Sequence, residues 1–234
     1  MTGALERGSA TNLGGGTPGT KPLVYLADLT HTGHVIAQNV TPLGVGLIAA
    51  YLLEASPDTY DVQLFKYPTD FSRALADRMP RVIGFANYTW NCDLIYEYTI
   101  RIKQRSPETV VVLGGPNYGL RSAEMVEFWR RYPLVDFHII REGEQAFAEF
   151  IKTLATFDYD AQALKEARIK PPNCHYMHEG ERVMGELLPR LELAALPSPY
   201  LLGLMDQFFD VVLVPLIHTT RGCPFTCTFC TEGA

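Results

Sequence analysis

Apolar residues recur along this chain in two alternating rhythms. Short apolar runs, "PLVYLAD", "YDVQLFKY", "RVIGFANY", "TVVVLGG" and "LVDFHII", are bounded by polar or Gly-rich turns and read as buried strands. Between them lie longer stretches with helical spacing. "PLGVGLIAAYLLEAS" sets Leu43, Leu47, Ile48, Tyr51 and Leu52 on one face, with Pro42 suited to the first turn. "DFSRALADRM" reads as a helix opened by Asp70 as N-cap. "NCDLIYEYTIRIKQRS" spaces Leu94, Tyr98 and Ile102 four apart, and "LRSAEMVEFWRRY" follows as another helix. "GEQAFAEFIKTLA" places Phe147, Phe150, Ile151 and Leu154 at i, i+3, i+4 and i+7.

Five strand-then-helix units in succession predict a parallel sheet covered on both faces. Right-handed crossovers make such a sheet doubly wound α/β, with ligands outside the carboxyl ends of its strands. Those ends are the loops at 28–41, 87–91, 114–119 and 141–144. Residues 1–20, rich in Gly, Thr and Ser, read as a disordered tail. The strand–helix unit spans 21–156. From 157 to 210 the rhythm gives way to a proline-rich connector with a small hairpin around Glu179–Gly180. From 211 to 234 a new apolar strand, "VVLVPLI", runs into the loop "RGCPFTCTFC".

Composition narrows the classes. With 47% hydrophobic and 20% charged residues, the 234-residue chain can build a core without a disulfide framework. A formal charge of −6 and no long basic run make nucleic acid an unexpected partner. No apolar stretch approaches the length of a membrane span, and the N-terminus lacks the order of a signal peptide. Five cysteines, three of them clustered, suit a reducing cytoplasm and a metal site better than disulfides.

Cys223, Cys227 and Cys230 have the spacing C-x3-C-x2-C. Three thiolates on one loop suit three irons of a [4Fe–4S] cube, leaving the fourth iron open. Zinc is the alternative and would need a fourth ligand from Cys174, His175 or His218. Three incidental cysteines are the plain alternative. Cys92 and Cys174 read as a helix-start and a connector cysteine.

"RGCPFTCTFC" resembles the signature of the radical S-adenosylmethionine enzymes, with Phe229 as the aromatic before the last cysteine. The resemblance implies a cluster on Cys223, Cys227 and Cys230 whose open iron binds S-adenosylmethionine and whose electron cleaves it. It also implies a (β/α) barrel whose first strand, from 211, leads into this loop. "TPLGVGLIAAYL", "VIGFANYTWN", "VVLGGPNYG" and "DFHIIREGEQAF" are similar to the cobalamin-binding domain of that family's cobalamin-dependent branch. The implied fold is a flavodoxin-like doubly wound parallel sheet of the cobalamin-binding type. Its implied cofactor contacts are His31, Gly33, His34, Asn87, Tyr88, Thr89, Gly114, Gly115, Pro116, Gly143 and Glu144. Gly114 and Gly115 let backbone approach a large ligand, or simply form a turn. Gly143 and Glu144 offer helix-start N–H groups to a ligand, or are a plain N-terminal turn.

The best-known cobalamin domains carry D-x-H-x-x-G, whose histidine ligates cobalt. Here Asp28, His31 and Gly33 stand as D-x-x-H-x-G, so His31 and His34 serve either as ligand or as loop and pocket residues.

A barrel of this kind takes about 250 residues. The chain is therefore expected to be a piece of a longer enzyme and inactive in radical chemistry alone. Its expected activity is methylation of an unactivated centre, with cobalamin, the [4Fe–4S] cluster and S-adenosylmethionine as cofactors. The expected partners are a small-molecule or peptide substrate and an electron donor such as flavodoxin or ferredoxin. A standalone cobalamin carrier and a zinc-clipped flavodoxin-like interaction protein are the rival readings.

Overall fold

The computed structural model describes residues 20–33, 38–119, 121–222, 225 and 227. The tail expected at 1–20 lies, except for Thr20, outside the described residues. Five strands alternate with helices: β1 (Leu23–Ala27), α1 (Leu43–Ala55), β2 (Asp61–Phe65), α2 (Pro68–Asp77), β3 (Val82–Ala86), α3 (Cys92–Arg105), β4 (Val110–Gly114), α4 (Ser122–Arg131), β5 (Phe137–Ile139) and α5 (Glu144–Ala155). A short helix α6 (Ala161–Glu166) and a hairpin, β6 (Cys174–His178) and β7 (Glu181–Met184), follow. The sheet order is β2-β1-β3-β4-β5-β6-β7, with β1 to β5 parallel. The β2-β1-β3-β4-β5 part is the flavodoxin-like order.

Each strand serves two cores because successive side chains point to opposite faces. Val24, Leu26, Val82, Val110, Val112 and Phe137 pack under α1 and α5. Leu23, Tyr25, Ile83, Phe85, Val111 and Leu113 pack under α2, α3 and α4. Helix α1 is apolar nearly all round because a second layer covers its outer side. Met205 and Pro199 sit so close to Gly46 that a Cβ there would lie 2.7 Å from the Met205 sulfur.

Three expectations change. The sheet gains two antiparallel strands, because the Glu179–Gly180 hairpin pairs with β5: His138 stands opposite His175, and Ile139 opposite Cys174. Both hairpin-turn residues have positive φ, 49° and 78°, as a two-residue turn between twisted strands requires. Helix α2 starts at Pro68 with Tyr67 at the cap; Pro68 presets the first helical φ, and Asp70 pairs with Arg73 inside the first turn instead of capping. The apolar run 211–217 forms no ladder among the described residues. Only Asn39–Thr41 offers it backbone partners, through Val214.

On the α3/α4 face the hairpin closes over two imidazoles. His138 is fully buried and stacks on Tyr118 at 4.1 Å. The Tyr118 hydroxyl accepts from the Trp129 indole and shares a hydrogen bond with His175 Nδ1, each at 3.2 Å. Burial first, and then the neighbouring His175, push His138 down to about 3. Burial and then Arg182 push His175 down to about 4. Both folded values lie below the ordinary 6.5, so the unfolded chain takes up these protons first as pH falls. Stability is full above pH 6.5 and is lost below it, by about 1.4 kcal/mol per pH unit for each imidazole. His138→Phe keeps a ring in place and should remove one of the two contributions. Urea unfolding at pH 7, 6 and 5 should show a shallower acid limb; an unchanged slope would contradict this account.

Candidate cofactor site

The parallel strands end at one edge, and there a cavity of about 550 Å³ opens between the sheet and helices α1 and α5. Its floor is Leu26, Gly84, Val112 and Ile139, and its sides are Val45, Leu47, Ile48 and Phe147. Gly84 keeps the floor low, since a Cβ there would meet Leu26 at 2.6 Å and Phe147 at 3.4 Å. The cavity lies beside the point where chain order reverses, because β1 pairs with β2 on one side and with β3 on the other.

Of the residues expected from sequence, Tyr88, Gly114, Gly115, Gly143 and Glu144 come together on this cavity. Gly115 has φ +105°, and a Cβ there would stand 2.8 Å from the Asn87 carbonyl oxygen. Glycine is needed there for the turn itself, before any ligand is considered. Asn87 is buried behind the rim, where it exchanges amide hydrogen bonds with Asn117 at 3.1 and 3.2 Å. Its side chain braces the loops after β3 and β4 against each other. Thr89 and Pro116 are exposed and do not line the cavity. His31 and Gly33 are exposed on the loop after β1. His34 and Phe229 lie outside the described residues, as do Cys223 and Cys230; Cys227 is exposed. Cys92 is half-buried at the start of α3, and burial pushes the Cys174 thiol up.

Several residues of the site escaped the sequence reading. Trp90, substantially exposed, stacks on Tyr88 at 4.4 Å and 8°, giving the rim a flat aromatic surface. Asn91 is buried and ties three segments: its side-chain oxygen accepts from Tyr88 N–H at 2.9 Å, and its amide donates to the Leu29 and Ala86 carbonyls at 3.0 Å. The run "NYTWN" after the third strand was the available signal. Lys66, fully buried at the end of β2, donates to Asp28 at 3.0 Å and to Gln38 at 2.7 Å. Burial raises the Asp28 pKa and lowers that of Lys66, and each opposes the other's shift through the charge pair.

A second charged group closes the other side. Gly143 caps α5, and the carboxylate of Glu144 pairs with Arg221. Glu142 forms an ion pair with Arg190 at 3.3 Å and accepts from the Leu191 N–H at 2.9 Å. Arg190, His218, Thr220, Arg221 and Gly222 complete the cavity wall, so the segment entering the cysteine loop forms part of the pocket.

The profile of the B12 binding domain family matches residues 30–151, which carry the rim loops and both covering helices. The chain belongs to the B12-binding domain family. The 2-(S-pantetheinyl)-carbapenam-3-carboxylate methyltransferase of Streptantibioticus cattleyicolor is 34% identical over 209 residues, 82% of this chain and 28% of that protein. The cobalamin-dependent radical SAM methyltransferase TokK of Streptomyces tokunonensis is 31% identical over 204 residues, with the same coverage of 82% and 28%. Among solved structures, the cobalamin-dependent S-adenosylmethionine radical enzyme OxsB with aqua-cobalamin bound matches with a TM-score of 0.61 at 21% identity, over 90% of this chain and 28% of that one. At that identity the likeness speaks for the fold of the B12-binding domain. The chain spans 28% of the length of each of these three proteins.

Within the B12-binding domain, Gly115 is the position where backbone alone dictates the residue. Gly115→Ala should cost about 2 kcal/mol, from strained φ and the clash with Asn87. Chemical unfolding with and without added cobalamin should show the loss in both cases. A variant as stable as the parent would contradict the turn geometry.

Proposed function

We propose that this chain holds cobalamin at the carboxyl edge of its parallel sheet and leads into the cluster loop of a radical S-adenosylmethionine methyltransferase. The observation that carries the reading is the shared wall: His218, Thr220, Arg221 and Gly222, just ahead of Cys223, line the same cavity as the loops after β3, β4 and β5. The residues fit the cofactor. The floor is apolar, Gly44 and Gly114 leave open room on the walls, and Tyr88 adds an aromatic ring to the lining, held by its stack on Trp90. Asn87, Asn91 and Asn117 fix the loops that carry the rim, so the surface is preorganised.

Cobalamin supplies a methyl-carrying cobalt when bound. A [4Fe–4S] cluster on Cys223, Cys227 and Cys230 supplies a binding iron and an electron for S-adenosylmethionine. The chain's own part is to bind, to orient and to keep water from the apolar floor. His31, exposed and outside the cavity lining, has a loop role in this reading. The names of the two curated relatives support methyl transfer as the reaction. The substrate is a small molecule or peptide with an unactivated centre, the electron donor a flavodoxin or ferredoxin, and the compartment a reducing cytoplasm. No described helix is long and apolar enough to cross a membrane.

Two measurements test this. Hydroxocobalamin titration followed by absorbance should show binding, and Gly114→Leu should weaken it at least about tenfold. A Cβ at Gly114 has nothing nearer than the Ile139 carbonyl at 3.7 Å, so the larger side chain fills ligand space without straining the turn. Equal affinity in the variant would remove the cavity from the reading. Anaerobic reconstitution should give iron and sulfide, lost in the Cys223→Ala, Cys227→Ala and Cys230→Ala variants and retained in Cys92→Ala and Cys174→Ala. One zinc with no sulfide would favour the interaction-protein alternative instead.

A further inference from the structure

The dipeptide Arg221–Gly222 stands directly before the cysteines, and its geometry gives both residues work to do. Arg221 crosses 77 residues of sequence to reach α5. Its two terminal nitrogens address the two oxygens of Glu144, Nη1 at 3.4 Å, in the fork geometry that only a guanidinium provides. The pair is largely withdrawn from water, with side chains 13% and 6% exposed. Glu142 joins it: one oxygen faces Arg190 at 3.3 Å and Arg221 at 3.9 Å. Two carboxylates thus face two guanidiniums. Gly222 has φ +72°, and a Cβ there would overlap the Arg190 guanidinium. Glycine is what lets Arg190 and the incoming loop share the space.

The segment ahead of this cluster is loosely held. Thr41 and Tyr200 fix Val214 and Leu216, the Tyr200 hydroxyl donating to the Leu216 carbonyl at 2.6 Å. Ile217 and the residues up to Thr220 are then exposed. The next fixed point is the Glu142–Glu144–Arg190–Arg221 cluster, at the cavity wall.

Resting on the cobalamin reading above, we infer that Arg221 is a positioning residue that clamps residues 217–222, the segment ahead of the cysteines, to the cobalamin-binding unit, so that filling the cavity and ordering that segment are coupled. A ligand that touches both Gly143–Glu144 and His218–Gly222 favours their closed arrangement. By linkage, closing the clamp favours the ligand by the same factor. Glu142 and Glu144 are then the receiving half of the clamp, and Arg190 holds the second carboxylate in place.

The test uses the chain itself with hydroxocobalamin, reading affinity by absorbance and amide hydrogen exchange in peptides covering 217–222. In the parent, cobalamin should slow exchange there. Arg221→Gln should bind about tenfold more weakly and lose the slowing, although the cavity floor is untouched. Arg221→Lys, which keeps charge but not the fork, should fall between. Glu144→Gln should weaken binding no more than Arg221→Gln, which also loses Glu142, and the double variant should be no weaker than Arg221→Gln, since the Arg221–Glu144 contact is then already gone. Arg73→Gln, at an exposed pair far from the rim, should behave as the parent. Parent-like affinity and slowing in Arg221→Gln would overturn the clamp, and so would losses that multiply in the double variant. If Glu144→Gln does not fold, Arg221→Gln decides alone. A parent that binds no cobalamin would overturn the cavity reading and the clamp together, an outcome distinct from a binding parent with an indifferent Arg221.

Discussion

β1 is hydrogen-bonded in parallel on both sides, and the rest of the site depends on that one fact. Pairing with β2 on one flank and β3 on the other sends successive crossovers to opposite faces of the sheet. The loops after β1 and β3 must then part at the carboxyl edge. A crevice opens beside that point, walled by the loops after β3, β4 and β5. Helices α1 and α5 lie over the same face and deepen the crevice into a cavity. Gly84 in the floor and Gly114 at the rim widen it where ordinary residues would close it.

A cavity at a switch point exposes backbone and charged groups to a poorly hydrated space. The chain answers with paired and braced polar groups. Asn87 with Asn117, and Asn91 with Leu29 and Ala86, tie the rim loops into one frame. Lys66 compensates Asp28 at one end, and Arg221 and Arg190 compensate Glu144 and Glu142 at the other. Removing one member of such a pair leaves an uncompensated charge, which costs more than the intact pair contributes. Charge is therefore compensated at both ends, and the second end is supplied by the segment that enters the cysteine loop. Membership in the B12-binding domain family covers the first part of this construction. The entry of 218–222 into the same wall is the feature that joins it to the cysteines.

The extra hairpin shows how a connector becomes structure. β6 and β7 cover the edge of β5, a strand of only three residues, and so move the sheet's edge from the buried β5 to β7. In doing so they bury His138 and His175 beside Tyr118 and Trp129 as neutral rings.

Periodicity determined the five strands, their helices and the parallel sheet, turn chemistry the hairpin, and handedness the edge at which the cavity opens. Those features are local or follow from handedness, and a single sequence records them. Glycines at 114, 115 and 143 were marked as candidates by the family resemblance, since on sequence alone each also reads as a plain turn or helix-start residue. Asn91, Lys66 and Trp90 were not, since each looks like an ordinary loop or strand-end residue until a partner far along the chain is beside it. The apolar run 211–217 read as a strand, yet a strand is a relation between two segments, and among the described residues only Val40 answers it. Likewise the sequence could place Glu144 at a helix start, where its charge favours the dipole. Only the tertiary fold brought Arg221 across 77 residues to meet it, because ion pairing depends on distance in space and carries no periodic mark in sequence.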